Sequence, residues 1–216
     1  MIEFISHKFE AGGIFMLPIL VSSAFVCIIA FERFNVIRAA ANIKKDELLN
    51  MINSYILQGN LEKAIAVTTQ VKTPLTNIVR AGLVSLVNGG NEEEIQTAMD
   101  AIALREVPKL ERRIPLLSML SNLSTLFGLL GTVTGMIGAF GAVANVAPAE
   151  KASLLSNSIA EALNCTAFGL IVALPALALF GWLNSWSQDV VADIHEASVS
   201  TLNFVMANRQ KLTGTK

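Results

Sequence analysis

The apolar stretch Ile159-Ala-Glu-Ala-Leu-Asn-Cys-Thr-Ala-Phe-Gly-Leu-Ile-Val-Ala-Leu-Pro-Ala176 contains one charged residue, Glu161. Together with its uncharged continuation to Leu183 it is long enough to cross a bilayer, which takes about 17–25 helical residues. A carboxylate at or inside a bilayer is energetically costly, and it commonly belongs to an ion or proton path. The stretch therefore predicts a membrane helix with Glu161 as a candidate site.

Two further uncharged blocks, residues 14–31 and 116–147, predict two more membrane helices. The whole chain is 53% hydrophobic and 15% charged, well below the charged share of about 25% in soluble domains. Glu32 and Arg33 directly follow the first block. A signal peptide has small residues at that point, so we expect a retained helix and not a cleaved leader. The predicted fold class is an all-α membrane protein, with three transmembrane helices and a cytoplasmic helical bundle.

Basic residues near the ends of the spans predict the orientation of the chain. Arg33 and Arg38 follow the first block, and Arg112 and Arg113 precede the second, which indicates that residues 32–115 are cytoplasmic. The predicted order is a periplasmic segment 1–13, a span 14–31, a cytoplasmic helical domain 32–115, a span 116–147, a periplasmic hairpin 148–158, a span 159–183 and a cytoplasmic C-terminal helix 184–216. The N-terminus is thus expected in the periplasm and the C-terminus in the cytoplasm.

Local signals predict helices within residues 32–115. Asn60 precedes a helical apolar pattern, Thr73 is followed by proline, and Asn91 is followed by three glutamates. Asn and Thr are good N-caps, and acidic residues favour the positive end of a helix. Gly89-Gly90 predicts the end of the helix that begins after Thr73.

Several classes of function are disfavoured by the sequence. No nucleotide-binding loop or nucleophile elbow occurs, which argues against an enzyme. The net charge is −1 with no basic cluster, so a nucleic-acid partner is not expected. Cys27 and Cys165 lie in apolar blocks and His7 and His195 are isolated, so neither a metal site nor a cofactor is expected.

Small and hydroxyl residues follow helical spacing in the second block. Gly128, Gly131, Thr132 and Gly135 fall on one broad face. Small residues allow membrane helices to pack closely, and hydroxyls can also line a polar path, so both interpretations stay open. Pro175 in the third block predicts a kink.

Glu161 also has two interpretations. Ser158-Ile-Ala-Glu161 has the pattern of a capping box, in which Glu161 stabilises a helix start. Alternatively, the neighbouring polar residues Asn164 and Thr166 extend an ion path inward. The sequence alone does not separate the two.

The motifs of blocks two and three resemble those of the MotA/TolQ/ExbB proton-channel family, in its TolQ/ExbB-type motor subunits. The resemblance rests on Gly128-Leu-Leu-Gly-Thr-Val-Thr-Gly-Met-Ile-Gly-Ala-Phe140 and on residues 159–176. It extends to Glu32-Arg33 and to Gly59-Asn-Leu-Glu-Lys-Ala64. By position, Thr132, Thr166 and Glu161 match the polar residues of the family's ion path.

The resemblance implies a homopentamer in a bacterial inner membrane, surrounded by lipid. It also implies a single-span partner of the ExbD/TolR type that supplies a membrane aspartate. The expected function is an ion-channel or stator subunit that converts the proton motive force into mechanical work. The translocated ion is H+, with Na+ as the alternative. The rival interpretation is a membrane scaffold that assembles a complex without conducting ions.

Overall fold

The structure, a computed structural model, describes residues 13–42, 45–144 and 146–209. Within these ranges the chain is helical and contains no strand, which confirms the predicted all-α fold. The helices are α1 (Met16–Ala41), α2 (Lys45–Leu57), α3 (Leu61–Gln70), α4 (Pro74–Val87), α5 (Glu92–Glu111), α6 (Ile114–Val143) and α7 (Pro148–Ala207). The predicted segment 1–13 lies outside the described residues, apart from Gly13.

Three helical stretches are long and apolar enough to cross a membrane: Met16–Leu57, Glu92–Val143 and Pro148–Ala207. Each overlaps one of the three predicted spans: the first begins two residues after the start of span 14–31, the second ends at Val143 within span 116–147, and the third contains span 159–183. The described chain divides into two compact units. We call residues 13–32 and 113–182 the apolar unit, and residues 33–112 and 183–209 the polar unit.

The bounds of α7 differ from the prediction. The segment 148–158, predicted as a hairpin, is helical, and so are residues 159–183 and 184–207, so all three form one helix. The change of direction falls between Val143 and Pro148 instead. Proline fits the first turn of a helix, and the Ala, Leu, Glu and Lys residues that follow Pro148 are good helix formers. This local propensity outweighs the polar composition on which the hairpin was predicted.

The apolar unit has a small core of its own. Met16, Ile19 and Cys165 are fully buried, and Phe15, Phe127, Phe168 and Val172 pack against them. Large apolar side chains are also exposed on every helix of this unit, among them Phe25 and Ile28 on α1, Leu126, Leu129, Ile137 and Phe140 on α6, and Ile171 and Leu174 on α7. Helices that are apolar on all sides are typical of membrane spans.

Three helices of the polar unit begin at the positions that the sequence marks as helix starts, two of them at the predicted caps Thr73 and Asn91. Asn60 accepts a hydrogen bond from the Lys63 amide (3.1 Å) at the start of α3. Thr73 and Asn91 each take part in a capping box, at the starts of α4 and α5. Gly89, just after α4, has a φ of +82°, a conformation that glycine adopts without strain. The cap predictions are therefore confirmed.

A buried arginine stabilises the end of α5 in the polar unit. Arg33 is 5% exposed, and its Nη1 donates to the carbonyl oxygens of Lys109 (3.0 Å) and Arg112 (2.9 Å). The last carbonyls of a helix lack partners within the helix, so the guanidinium satisfies two carbonyl groups at the end of α5.

An ion pair in the polar unit joins α2 to α7. Lys45 Nζ lies 2.8 Å from Asp193 and 2.7 Å from Glu196. Hydrogen bonds to these two carboxylates raise the pKa of Lys45 above its usual value. Lys45 therefore stays charged throughout the physiological pH range.

The start of α6, in the apolar unit, is fixed by Glu32. Arg113 precedes α6 with a φ of +70°, which costs a non-glycine residue about 1–2 kcal/mol. Its guanidinium Nη1 contacts both carboxylate oxygens of Glu32, at 2.7 and 2.6 Å. This charged hydrogen bond helps to offset the backbone strain. The Glu32-Arg33 pair thus has two separate structural roles.

Candidate ion site in the α6–α7 pair

The backbones of α6 and α7 approach each other closely at two glycines. A Cβ at Gly169 would lie 2.6 Å from the Ser124 carbonyl oxygen, and one at Gly128 would lie 3.1 Å from the Thr166 Cα. The first distance leaves no room for a side chain, and at the second a side chain would require the α7 backbone to shift slightly. Glycine therefore permits backbone contact between the two helices.

The same face of α6 continues toward its C-terminus with two more glycines. A Cβ at Gly131 would lie 2.9 Å from the Cys165 Cβ, and one at Gly135 would lie 2.9 Å from the Ala162 Cβ. Residue numbers rise along α6 as they fall along α7, so the two helices are antiparallel. The structure therefore places Gly128, Gly131 and Gly135 against α7 of the same chain.

Two hydroxyl groups cross between these helices. Thr166 Oγ1 donates to the Gly128 carbonyl oxygen at 2.8 Å, and Ser121 Oγ donates to the Ala173 carbonyl oxygen at 2.7 Å. Both acceptors are backbone groups, so each hydroxyl adds a polar link between otherwise apolar helices. Thr166 is half-buried.

Thr132 forms its hydrogen bond within its own helix. Its Oγ1 donates to the Leu129 carbonyl oxygen at 2.7 Å, and the side chain is half-buried. The hydroxyl proton is thereby occupied, while the oxygen lone pairs remain available to accept. Pro175 lies within α7 and is exposed.

Glu161 lies in the interior of α7, because the helix begins at Pro148. The capping-box interpretation of Ser158 and Glu161 is therefore wrong, since the backbone amides at this point are already within the helical ladder. Glu161 is exposed. Among the described residues, no hydrogen-bond or ion-pair partner reaches its carboxylate.

Glu161 lines an open cavity of about 390 Å³ in the apolar unit. The polar residues that share it are Thr134 and Ser158, and neither Thr132 nor Thr166 lines it. The walls come from α6, from α7 and from the residues just before α1. The three residues matched to an ion path are thus not gathered in one cavity.

Sequence reasoning did not single out Thr134. Its position carried a usable signal, because Thr134 lies three residues after Gly131 and four before Gly138. These spacings place all three residues on one face of a helix. Whether that face lines the cavity depends on the register of α6 against α7. The sequence pattern of α6 does not specify this register.

Comparison with known proteins identifies the family and the fold. The model of the MotA/TolQ/ExbB proton channel family matches residues 70–196, more than half of the chain. A solved structure of C. jejuni MotAB is similar, with a TM-score of 0.56 and 16% sequence identity. The alignment covers 97% of this chain and 78% of that one. At this level of identity the likeness shows a shared fold. No curated protein matches the sequence significantly.

Proposed function

This chain belongs to the MotA/TolQ/ExbB proton channel family, and on that premise we propose that it is the channel subunit of an ion-driven motor in a bacterial inner membrane. The ion is H+, with Na+ as the alternative. The chain has no catalytic role in this proposal. Its work is to couple ion flow to movement of a partner protein.

The observation that carries the proposal is the clustering of polar groups along the α6–α7 pair. Thr166 contacts the carbonyl group of Gly128, and Thr132 lies one turn farther along α6, a rise of about 6 Å. Glu161 lies five residues from Thr166 along α7, a rise of about 7.5 Å. Because the helices are antiparallel, both steps lead toward the same end of the pair. The three polar residues therefore lie close together along the axis of the pair, and this closeness supports an ion path there.

The partner in this proposal is a single-span protein of the ExbD/TolR type with a membrane aspartate. Glu161 is the only acidic residue in the three predicted spans, residues 14–31, 116–147 and 159–183. A protonatable aspartate from the partner would complete the path beside Thr132 and Thr166. Moving one charge through the membrane field yields about 2.3 kcal/mol per 100 mV, so a few ions would suffice for a conformational step.

Exposed apolar residues support an assembly of several copies. Leu129, Ile137 and Phe140 on α6 are 56%, 67% and 59% exposed in the single chain. Lipid can cover such a face, and so can helices of other subunits. We propose a homopentamer around a partner dimer, with residues 32–115 in the cytoplasm.

The proposal is tested by co-expression with a single-span protein encoded beside this gene. Native mass spectrometry of the purified complex is expected to give five copies of this chain with two of the partner. Vesicles that contain the complex are expected to conduct ions, and vesicles with the chain alone are not. Isolation of the chain without a membrane partner, and without ion flow, would contradict the proposal.

The scaffold alternative is favoured by one observation. The hydroxyl protons of Thr132 and Thr166 are both bound to backbone carbonyls, as in helices that only pack. A scaffold would assemble with the same partner and conduct no ions. The ion-flow measurement on the intact complex therefore separates the two functions.

A further inference from the structure

A groove in the polar unit lies between one face of α4 and one face of α5. Its volume is about 490 Å³. Val84 on α4 is 39% exposed, and Ala98 and Ile102 on α5 are half-buried. These three apolar side chains line the groove, together with Glu94, which belongs to the first turn of α5. The groove therefore has apolar walls and a negative charge at one end.

The last described residue of the chain lies at this groove. Arg209, two residues after the end of α7, donates from Nη2 to the carbonyl oxygen of Gly90 at 2.9 Å. Gly90 is buried and lines the groove, in the turn that follows α4. The bond fixes Arg209 beside the groove, at the point from which residues 210–216 continue.

The sequence of residues 210–216, Gln-Lys-Leu-Thr-Gly-Thr-Lys, complements the groove. These residues lie outside the described part of the chain. Leu212 is the one large apolar residue among them, and the only charged side chains are those of Lys211 and Lys216. An extended chain spans at most about 3.6 Å per residue, so the Leu212 Cα lies within about 11 Å of the Arg209 Cα. Leu212 can therefore reach the groove.

We propose that residues 210–216 dock in the α4–α5 groove of the same chain, with Leu212 on its apolar wall and a lysine beside Glu94. Burial of a leucine against apolar side chains is favourable. The wall from Glu94 to Ile102 covers about 12 Å of helix, which seven residues can follow. Docking ties the end of α7 to the α4–α5 pair and closes the groove to other partners. The inference concerns the polar unit alone and is independent of the proposed ion flow.

Two positions of α5 provide a matched pair for disulfide cross-linking to Thr213→Cys, a change that retains Leu212. Ala98 lines the groove, whereas Gln96 is exposed and does not line it. A disulfide requires the two Cβ atoms to lie within about 4.5 Å of each other. We expect Ala98→Cys to cross-link about tenfold faster than Gln96→Cys, because docking raises the local concentration of residue 213 on one face of α5. Addition of Leu212→Ser should remove this difference.

The cross-links are formed by oxidation of the complete complex in membranes. Mass spectrometry identifies the joined peptides, and a non-reducing gel shows whether the disulfide lies within one chain or between two. Cys27 and Cys165 lie in the apolar unit, and the wild-type chain gives their background. A faster cross-link within one chain at Ala98→Cys supports the proposal. Equal rates at Ala98→Cys and Gln96→Cys, or disulfides mainly between two chains, would overturn it.

The charge of Glu94 can be removed without loss of the helix start. Glu94 Oε2 accepts a hydrogen bond from the Asn91 amide at 2.8 Å in the capping box, and glutamine can fill the same role. We expect Glu94→Gln to slow the cross-link between Ala98→Cys and Thr213→Cys by up to about fivefold, the effect of an exposed ion pair. The thermal unfolding temperature should stay the same. An unchanged cross-linking rate would overturn the placement of a lysine beside Glu94.

Discussion

At the scale of single residues, Thr132 and Thr166 differ in the group to which the side-chain hydroxyl donates its hydrogen bond. Thr166 links two helices through the Gly128 carbonyl, and Thr132 bonds within α6. Both protons are occupied, so either oxygen can act toward an ion only as an acceptor. A valine at these positions keeps the shape and removes that acceptor.

We expect Thr132→Val and Thr166→Val each to reduce ion-driven function strongly while the complex still assembles. The lost hydrogen bond has a small effect on stability, since such bonds in membranes average about 0.6 kcal/mol. Ion flow in vesicles and native mass spectrometry measure the two properties. Thr166→Ser keeps the hydroxyl and serves as the control. Full activity of the Thr132→Val, Thr166→Val double variant would refute a role for these hydroxyls in the ion path.

We expect the charge of Glu161 to be needed for ion flow but not for the stability of α7. Glu161 lies inside α7 and has no bonded partner in the described chain, so Glu161→Gln should leave the thermal unfolding temperature unchanged. Ion flow should fall in Glu161→Gln and be partly retained in Glu161→Asp, which keeps the carboxylate. Equal ion flow in the Gln and Asp variants would show that the charge is not used.

At the scale of helices, the α6–α7 contact depends on missing side chains. A Cβ at Gly169 would lie 2.6 Å from the backbone oxygen of Ser124, and a backbone atom cannot move aside cheaply. Overpacking of this kind costs about 1–3 kcal/mol. We expect Gly169→Ala to lower the thermal unfolding temperature in detergent. Gly138→Ala has open space around its Cβ and is the control. An unchanged temperature for Gly169→Ala would mean that the contact is looser in solution.

The glycine face of α6 packs against α7 of the same subunit. From the sequence, Gly135→Leu is expected to push neighbouring helices apart and disrupt the oligomer. In the structure the first obstacle is Ala162 of the same chain. Any effect on assembly would therefore follow from distortion of the α6–α7 pair.

The end of α5 depends on one buried guanidinium. Arg33 donates to two carbonyl oxygens there, whereas Arg38 is exposed and lies over the Phe34 ring, 6.0 Å from its centre. Arg33→Met removes two hydrogen bonds from a charged group, and such bonds contribute about 1.5–3 kcal/mol each. We expect a lower thermal unfolding temperature for Arg33→Met than for Arg38→Met. The reverse order would contradict this role of Arg33.

At the scale of the whole molecule, the arginine pairs 33/38 and 112/113 predict a cytoplasmic location for residues 32–115. With Asn88→Cys and Glu150→Cys, a membrane-impermeant thiol reagent should reach position 150 from the periplasm and position 88 only after the cells are opened. The wild-type chain, with Cys27 and Cys165, gives the background. The opposite labelling pattern would invert the proposed topology.

The sequence by itself determined what short-range physics controls. Uncharged blocks of sufficient length identify the spans, because burial of backbone polar groups in lipid requires helices. Asn60, Thr73 and Asn91 mark helix starts, because an N-cap bonds only to amides two or three residues away. The motifs around Thr132 and Glu161 indicated the family on the same local basis.

Only the tertiary structure decided which polar groups share a space. Glu161 shares a cavity with Thr134 and Ser158, and not with Thr132 or Thr166. That grouping depends on the register of α6 against α7. The register is determined by close contacts between residues far apart in sequence, such as Gly128 and Gly169. The capping box at Ser158 is a different case: its sequence pattern is present, but the helix begins ten residues earlier, at Pro148, where local helix propensity favours it. Local sequence patterns indicate which interactions a residue is able to make. Packing determines which partners lie close enough for those interactions to form.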